Sequence, residues 1–187
     1  YKPGETTTVP QITLASEHWS RIARLLDQKK EVSLELNVTN TFYDNDLMQY
    51  DTIAEISGAD RKDEVVMLGA HLDSWVGGTG ATDNGTGTLT MMEAMRILKK
   101  VYPNPKRTII VGHWGSEEEG LNGSRAFVED HPEIVKSIQA VFNQDNGTGR
   151  VVDLQGQGFL NSYDYLTRWL SKVPADIIVR VQETLSL

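Results

Sequence analysis

Residues 52–142 alternate between apolar runs typical of strands and amphipathic runs typical of helices, and this alternation constrains the fold more than any other feature. Strands are predicted at 52–56, 64–70, 108–112 and 138–142. Helices are predicted at about 87–101 and near 124–130. Strands separated by helices of this length indicate an α/β sheet that is largely parallel.

Finer expectations follow for this part of the chain. The first two strands are predicted to pair with each other through the polar turn 58–63. The helix at 87–101 is expected to turn one apolar stripe towards the sheet, and that stripe consists of Leu89, Met92, Met95 and Leu98. Further on, a helix is predicted at 162–170 and a strand at 177–181.

The first 45 residues have a different pattern. A short strand is predicted at 9–15, and Ser16 is a suitable N-cap for a helix that ends near Lys29. Apolar residues then alternate with polar ones over 32–38, which is typical of a half-buried strand. The polar stretch 43–46 marks a candidate boundary before the α/β region.

Composition narrows the chemistry. The chain of 187 residues contains no cysteine, so it has no disulfide, no thiolate zinc site and no cysteine nucleophile. Any metal must be held by carboxylates and by the four histidines. The net charge of -8 makes nucleic acid and anionic membranes poor partners. No apolar run is long enough to span a bilayer.

Acidic residues and one histidine follow directly on three of the predicted strands. His71 and Asp73 come after the second strand, Glu117 to Glu119 after the third, and Asp145 after the fourth. Asp83 lies in the glycine-rich loop that leaves the His71 strand. Because ligands of open α/β sheets gather beyond the carboxyl ends of the strands, these groups are expected to converge.

Several carboxylates around one imidazole would repel one another, and a divalent metal is the simplest partner that neutralises them. Histidine and carboxylate ligands suit zinc. Asp73 is placed to accept the other N–H of His71 and fix its tautomer. Glu117 and Glu118 are adjacent and point differently, so one can bind metal while the other acts as a base.

Other catalytic motifs fail on specific residues. The segment 80–87 has the glycine spacing of a phosphate-binding loop but lacks the required lysine. Thr90 stands at the third glycine position of a dinucleotide fingerprint. The chain also has no Gly-x-Ser-x-Gly elbow of a serine hydrolase.

Three motifs closely resemble those of the co-catalytic zinc exopeptidases, a family that includes bacterial secreted aminopeptidases and the plasma glutamate carboxypeptidase subgroup. They are Gly-Ala-His-Leu-Asp-Ser-Trp at 69–75, Gly-Ala-Thr-Asp-Asn-Gly at 80–85 and Trp-Gly-Ser-Glu-Glu-Glu-Gly at 114–120. The resemblance implies a three-layer α/β sandwich with a mostly parallel, mixed sheet. Residues 1–45 resemble the end of a protease-associated domain, and 46–187 resemble the N-terminal portion of the peptidase domain without its C-terminal part.

The resemblance also implies residue roles. Asp83 would bridge two zinc ions, His71 and Asp145 would complete one site, and Glu118 would bind the second ion. Glu117 would be the general base, with Asp73 beside it in the catalytic group. A cis peptide bond is expected at Asp83-Asn84. The family's second-site histidine comes from a segment with no match in this chain, so that site would be incomplete here.

The function that follows is a metal-dependent aminopeptidase or dipeptidase that hydrolyses peptide bonds with a zinc-activated water. The resemblance implies a secreted or periplasmic location and a peptide or dipeptide substrate. Two alternatives are a non-catalytic receptor domain on the same fold and a single-zinc acyl-transfer enzyme of the glutaminyl cyclase kind. Trp75 would either line the substrate pocket or pack under its loop. His18, His113 and His131 are expected to be structural, and Glu119 to be solvated.

Overall fold

The computed structural model describes residues 12–41, 43, 45–178 and 182–184. The helices are α1 (Ser16–Asp27), α2 (Thr86–Val101), α3 (Asn122–Asp130), α4 (Pro132–Ser137), α5 (Ser162–Leu170) and α6 (Ala175–Ile178). The strands are β1 (Thr52–Ile56), β2 (Arg61–His71), β3 (Arg107–Trp114), β4 (Ile138–Asn143), β5 (Asp153–Gln155) and β6 (Gln182–Thr184). A wide turn of helix, Ala81–Gly85, directly precedes α2.

The main sheet has four strands in the order β1-β3-β2-β4. β2 runs parallel to both β3 and β4, and β1 is antiparallel to β3 at the edge. The predicted mixed α/β sheet is therefore confirmed. A second sheet consists of β5 and β6, which are parallel.

The predicted pairing of the first two strands is wrong, because β3 lies between them. β3 is buried on both faces from Thr108 to His113, so it takes an inner position and leaves the edge to β1. The polar connection between β1 and β2 crosses the start of β3 instead of forming a hairpin. There Gly58 N–H donates to Thr108 Oγ1 at 3.1 Å, and Ala59 N–H donates to the carbonyl of Pro105 at 2.8 Å.

Helices cover both faces of the main sheet, which makes three layers. Alternate residues of β2 point to opposite faces. Leu68 and Ala70 pack with Met91 of α2 on one face. Val65 and Met67 pack with Phe127 of α3 on the other.

The predicted stripe of α2 is partly wrong. Met95 and Leu98 pack against the core, but Leu89 and Met92 are 65% and 54% exposed. The buried positions of α2 include Thr88 and Met91, one residue before each of those two. Since one residue turns a helix by about 100°, this offset places Leu89 and Met92 away from the sheet.

The N-terminal segment supports fewer of the expectations. The helix near Ser16 is confirmed, but Ser16 is its first helical residue, and the capping position is held by Ala15 without a side-chain bond. Residues 32–38 form no strand, and Leu34, Leu36 and Val38 are more than half exposed. An alternating segment needs a neighbouring strand for its backbone hydrogen bonds, and no strand within the described residues pairs with it.

Two further expectations lie at the margins of the described residues. Of the strand predicted at 9–15, residues 9–11 lie outside the described residues and 12–15 have no regular structure. Of the strand predicted at 177–181, the first two residues belong to α6 and the other three lie outside the described residues. Within the described parts of the chain, no helix is long and apolar enough to cross a membrane.

Candidate metal centre

His71 is the last residue of β2 and lies at the centre of the acidic cluster. Its side chain is only 2% exposed. The ring atom Nε2 is 3.0 Å from Asp83 Oδ1 and 3.0 Å from Asp145 Oδ1. Glu117 Oε2 is 4.0 Å from the same nitrogen. Three carboxylates therefore converge on one buried imidazole nitrogen.

The parallel sheet brings these residues together. In the register, His71 pairs with Trp114, the last residue of β3, and Gly69 pairs with Asn143, the last residue of β4. The three strands thus end at nearly the same level, and the loops that follow them meet there. Gly69 also leaves room at this edge, since a methyl group on it would press against the Asn143 side chain.

Asp73 supports both His71 and the glutamate pair. Its backbone carbonyl oxygen is 3.0 Å from His71 Nδ1, and its carboxylate oxygen Oδ1 is 3.5 Å from that atom. The carboxylate accepts the backbone N–H of Glu117 at 3.0 Å and that of Glu118 at 3.1 Å. The contact with His71 is thus made more closely by the backbone than by the carboxylate, whose closest partners are in the loop after β3.

The turn that carries Asp83 is fixed by its buried neighbour Asn84, which is 1% exposed. Asn84 Nδ2 donates to the carbonyl of Gln144 at 2.8 Å, and Asn84 Oδ1 accepts from the N–H of Gly87 at 3.0 Å. The peptide bond Asp83-Asn84 is cis, as the motif resemblance implies. One side chain therefore ties this turn to the end of β4 and to the start of α2.

The tandem glutamates lie in the tight loop between β3 and α3. The N–H of Leu121 donates to the carbonyl of Glu117 at 2.8 Å, which closes the loop. Glu118 Oε1 is buried and has no hydrogen-bond partner among the described residues. Glu119 is exposed and accepts a hydrogen bond from Ser116 Oγ at 3.1 Å.

The electrostatics of the cluster favour a bound cation. Burial raises the pKa of Glu117, and the negative charges of Asp145, Asp73 and Asp83 raise it further against the lowering effect of His71. Desolvation and Asp83 likewise raise the pKa of Glu118. Burial acts to lower the pKa of His71, but the surrounding carboxylates, Asp145 foremost, outweigh it, and the net shift is upward. Each raised pKa means that the side chain holds its proton more tightly in the absence of metal, and a divalent cation bound at the cluster would displace that proton.

Two overlapping sets of side chains have the geometry to hold a metal ion. In the first, ligand atoms of His71, Asp83 and Glu118 all lie within 4.8 Å of one another, and in the second the same is true of His71, Glu117 and Asp145. The buried, unpartnered oxygen of Glu118 supports this fit, because a buried carboxylate oxygen without a donor is costly unless a cation is close. The donors are one imidazole and several carboxylates, which suit zinc.

An apolar cavity of about 490 Å3 opens beside the cluster. Its lining includes Met67, Phe127 and Val141, while His71 and Glu117 line it at the cluster. Trp75 is not among the lining residues and is 67% exposed, so it does not pack under its own loop.

The other histidines lie apart from the cluster. His18 and His131 are exposed. His113 is buried in β3, but it pairs with Ala70, so alternation turns it to the face opposite His71. Asp73 and Asn84 hold the backbone of the cluster in place. The sequence predicted Asp73 as a partner of His71 but not as the acceptor for the N–H groups of Glu117 and Glu118. Asn84 lies within one of the three motifs, but no role was expected for its side chain.

Two kinds of peptidase are similar in sequence to this chain. Carboxypeptidase Q of Rattus norvegicus is 31% identical over 151 residues, which cover 80% of this chain and 32% of the relative. Leucine aminopeptidase 1 of Arthroderma otae is 28% identical over 169 residues, covering 81% of this chain and 44% of the relative. The chain spans about a third of the length of the carboxypeptidase Q proteins that it matches.

Two solved structures share the fold of this chain. The peptidase M28 precursor from Shewanella amazonensis SB2B superposes with a TM-score of 0.64 at 29% identity, over 72% of this chain and 30% of that one. A zinc aminopeptidase from Bacillus subtilis gives a TM-score of 0.58 at 29% identity, over 73% of this chain and 34% of that one. The family model for peptidase family M28 matches residues 51–178. That match covers the strands and loops that build the cluster around His71, and the chain belongs to peptidase family M28.

Proposed function

We propose that this chain supplies the metal-binding part of a zinc exopeptidase, an aminopeptidase or dipeptidase that hydrolyses peptide bonds. The observation that carries the proposal is the contact of His71 Nε2 with Asp83 and Asp145 at 3.0 Å each, with the unpartnered oxygen of Glu118 close by. A buried imidazole surrounded by carboxylates favours a divalent cation, and no Lys or Arg of the described residues forms an ion pair with this cluster. The zinc aminopeptidase among the structural relatives supports zinc as that cation.

In this proposal the ligands are His71, Asp83, Glu118 and Asp145, and two zinc ions are held when the whole protein is assembled. Asp83 is the most exposed of the four, with 61% of its side chain accessible. It lies 3.0 Å from His71 and belongs to the same ligand set as Glu118, and the resemblance of the motif supports Asp83 as the ligand that the two ions would share. When bound, zinc supplies a Lewis acid that polarises a peptide carbonyl and makes a water molecule acidic near neutral pH.

Glu117 is proposed as the general base. Glu117 lines the apolar cavity, and its Oε2 is 4.0 Å from His71 Nε2, so it is close both to the cluster and to the space open to a substrate. Its raised pKa suits a group that takes a proton from water and returns it to the leaving amine. Asp73 keeps Glu117 and Glu118 in place through their backbone N–H groups.

The two alternatives account for less of the geometry. A non-catalytic receptor domain has no need of the proposed ligand set, whereas here five acidic or imidazole side chains meet at one point. A single-zinc acyl-transfer enzyme would use one ligand set, whereas two sets overlap at His71. The number of zinc ions per chain separates this last alternative from the proposal, because the alternative has one ion and the proposal has two.

Three further parts of the proposal concern the whole protein. We propose that residues 1–45 are the end of a protease-associated domain, that residues 46–187 begin the peptidase domain, and that the protein acts outside the cytoplasm. The resemblance of the motifs to secreted aminopeptidases supports these points. Removal of residues 1–45 from the complete protein, followed by measurement of peptidase activity and folding, tests the domain boundary.

The decisive experiment replaces Glu117 by glutamine in the complete protein. Glu117→Gln keeps the shape of the side chain but not its basicity, so kcat on aminoacyl and dipeptide substrates is expected to fall by about 100-fold or more, while the zinc content stays at two per chain. The matched control is Glu119→Gln in the same loop, which is expected to keep its activity because that side chain is exposed. Near-normal turnover by Glu117→Gln would contradict the assignment, and one zinc per chain would favour the cyclase alternative.

A further inference from the structure

The loop that carries Glu117 and Glu118 is held from two sides. On one side is the carboxylate of Asp73, which the motif contains. On the other side is Asp51, which directly precedes β1 and belongs to none of the three motifs. The two carboxylates bind the same short loop at different backbone N–H groups.

Asp51 binds the loop at its first residue. Asp51 Oδ1 accepts the N–H of Gly115 at 2.9 Å, just after the last residue of β3. The backbone of Tyr50 lies against the same residue, since a methyl group on Gly115 would fall 2.6 Å from the carbonyl oxygen of Tyr50. The chain just before β1 therefore packs closely against Gly115.

The same carboxylate also meets the start of α3. A methyl group on Gly123 would overlap Asp51 Oδ1, so the absence of a side chain at Gly123 is what admits the carboxylate. The N–H of Gly123 donates to the carbonyl of Gly115 at 3.0 Å. Asp51 thus occupies the junction between the end of β3 and the first turn of α3, where the helix dipole favours a negative charge.

This junction is coupled to the glutamates by a short ladder of backbone bonds. Next to the Gly115–Gly123 bond, the N–H of Asn122 donates to the carbonyl of Ser116 at 3.0 Å, and the N–H of Leu121 donates to that of Glu117 at 2.8 Å. A shift of Gly115 would therefore be passed along the ladder to Glu117, two residues further on.

From this geometry we propose that Asp51 is a positioning residue for the metal centre: it sets the place of Glu117 and Glu118 through Gly115. The proposal rests on the proposed function in one respect, namely that Glu118 binds zinc and Glu117 acts as base. Asp51 itself touches neither metal nor substrate. Groups that hold metal ligands in place commonly change metal affinity or activity by about 10–100-fold when they are removed.

The test compares four variants of the complete protein. Asp51→Ala removes the acceptor, Asp51→Asn keeps an acceptor oxygen, and Gly123→Ala pushes a methyl group against the carboxylate. Asp60→Ala is the matched control, because Asp60 is an exposed aspartate in the connection between β1 and β2. Zinc affinity is measured by competition with a chromogenic chelator, and kcat and KM are measured at saturating zinc.

Asp51→Ala is expected to bind zinc about 10-fold more weakly or worse and to lose kcat with little change in KM. Gly123→Ala is expected to do the same, while Asp51→Asn and Asp60→Ala stay within about threefold of the wild type. If Asp51→Ala does not fold, the contrast between Gly123→Ala and Asp51→Asn carries the test. A lower melting temperature in Asp51→Ala with unchanged zinc affinity and kcat would overturn the proposal, as would equal damage by Asp51→Asn.

The outcomes also separate this inference from the proposed function. If Glu117→Gln keeps its activity but Asp51→Ala still weakens zinc binding, the positioning role stands and the assignment of the base fails. If Glu117→Gln is inactive and Asp51→Ala is normal in both measurements, the function stands and the positioning role fails.

Discussion

His71 and His113 are two buried histidines on adjacent strands of one sheet, and they differ in almost everything except burial. They are 2% and 6% exposed, respectively. Both ring nitrogens of His71 have partners, and the neighbouring carboxylates raise its pKa despite burial. His113 Nδ1 has no partner among the described residues, and burial lowers its pKa.

The difference comes from the face of the sheet and the position along it. His71 is the last residue of β2 and pairs with the last residue of β3, whereas His113 pairs with Ala70, one position earlier, and turns to the α2 face. Only the position at the end of the strand meets the loops that bring Asp83, Glu117 and Asp145. Burial alone favours the neutral form of an imidazole, whereas the carboxylates on the converging loops give His71 the surroundings of the metal ligand that we propose.

The largest expected effect contrasts the two histidines directly. His71→Gln removes the side chain shared by both ligand sets, so zinc affinity of the complete protein is expected to fall by more than about 100-fold, beyond the range for residues that only support ligands. His113→Gln is expected to keep zinc affinity within about threefold. Both are measured by chelator competition, and equal loss in the two variants would remove the distinction between the histidines.

A smaller effect is expected from the polar support on the His71 side. Asn84→Ala deletes a fully buried side chain and leaves the Gln144 carbonyl and the Gly87 N–H without their partners, which costs about 2–4 kcal/mol of unfolding free energy. Zinc affinity is expected to fall as well, because Asp83 loses its anchored neighbour. Urea unfolding and chelator competition measure the two effects.

The control for this variant is Asn104→Ala, which changes an exposed asparagine in the turn before β3. A change below about 0.5 kcal/mol is expected for it. If Asn84→Ala were as mild as the control, the Asp83 turn would not depend on its buried amide.

The smallest effect concerns the pH dependence of stability without metal. Since burial lowers the pKa of His113 in the folded state, its contribution to stability is present above its ordinary pKa of about 6.5 and is lost as the pH falls through the window below that value. When the pH falls from 7.5 to 5.5, the free energy of unfolding of His113→Gln should therefore rise relative to that of the wild type, by at most about 1.4 kcal/mol.

His71 should respond in the opposite sense. Its folded-state pKa is raised, so its contribution is present below about 6.5 and is lost as the pH rises through the folded value. When the pH of the metal-free protein is lowered, the free energy of unfolding of His71→Gln should therefore fall relative to that of the wild type. Urea unfolding of both variants at the two pH values measures this, and shifts of the same sign would contradict the contrast.

The sequence predicted the α/β class, all four strands of the main sheet and helix α2 closely, because apolar periodicity is strong where a segment is buried. The prediction was wrong at 32–38, where apolar and polar residues alternate but no strand among the described residues pairs with the segment. It was also wrong at Leu89 and Met92, since the buried side of α2 there begins one residue earlier. The apolar pattern of a segment shows which side chains could be buried, whereas the elements packed against the segment decide which side chains are buried.

The sequence by itself determined which residue types stand after each strand, and therefore that one histidine and several carboxylates would meet where parallel strands end. Tertiary structure alone decided the order β1-β3-β2-β4 and the shared level at which β2, β3 and β4 stop. It also decided that Asp51, 64 residues before Gly115, holds the glutamate loop. The physical reason is that strand order and backbone anchors depend on contacts between segments far apart in the chain, for which a local pattern of residue types carries no record.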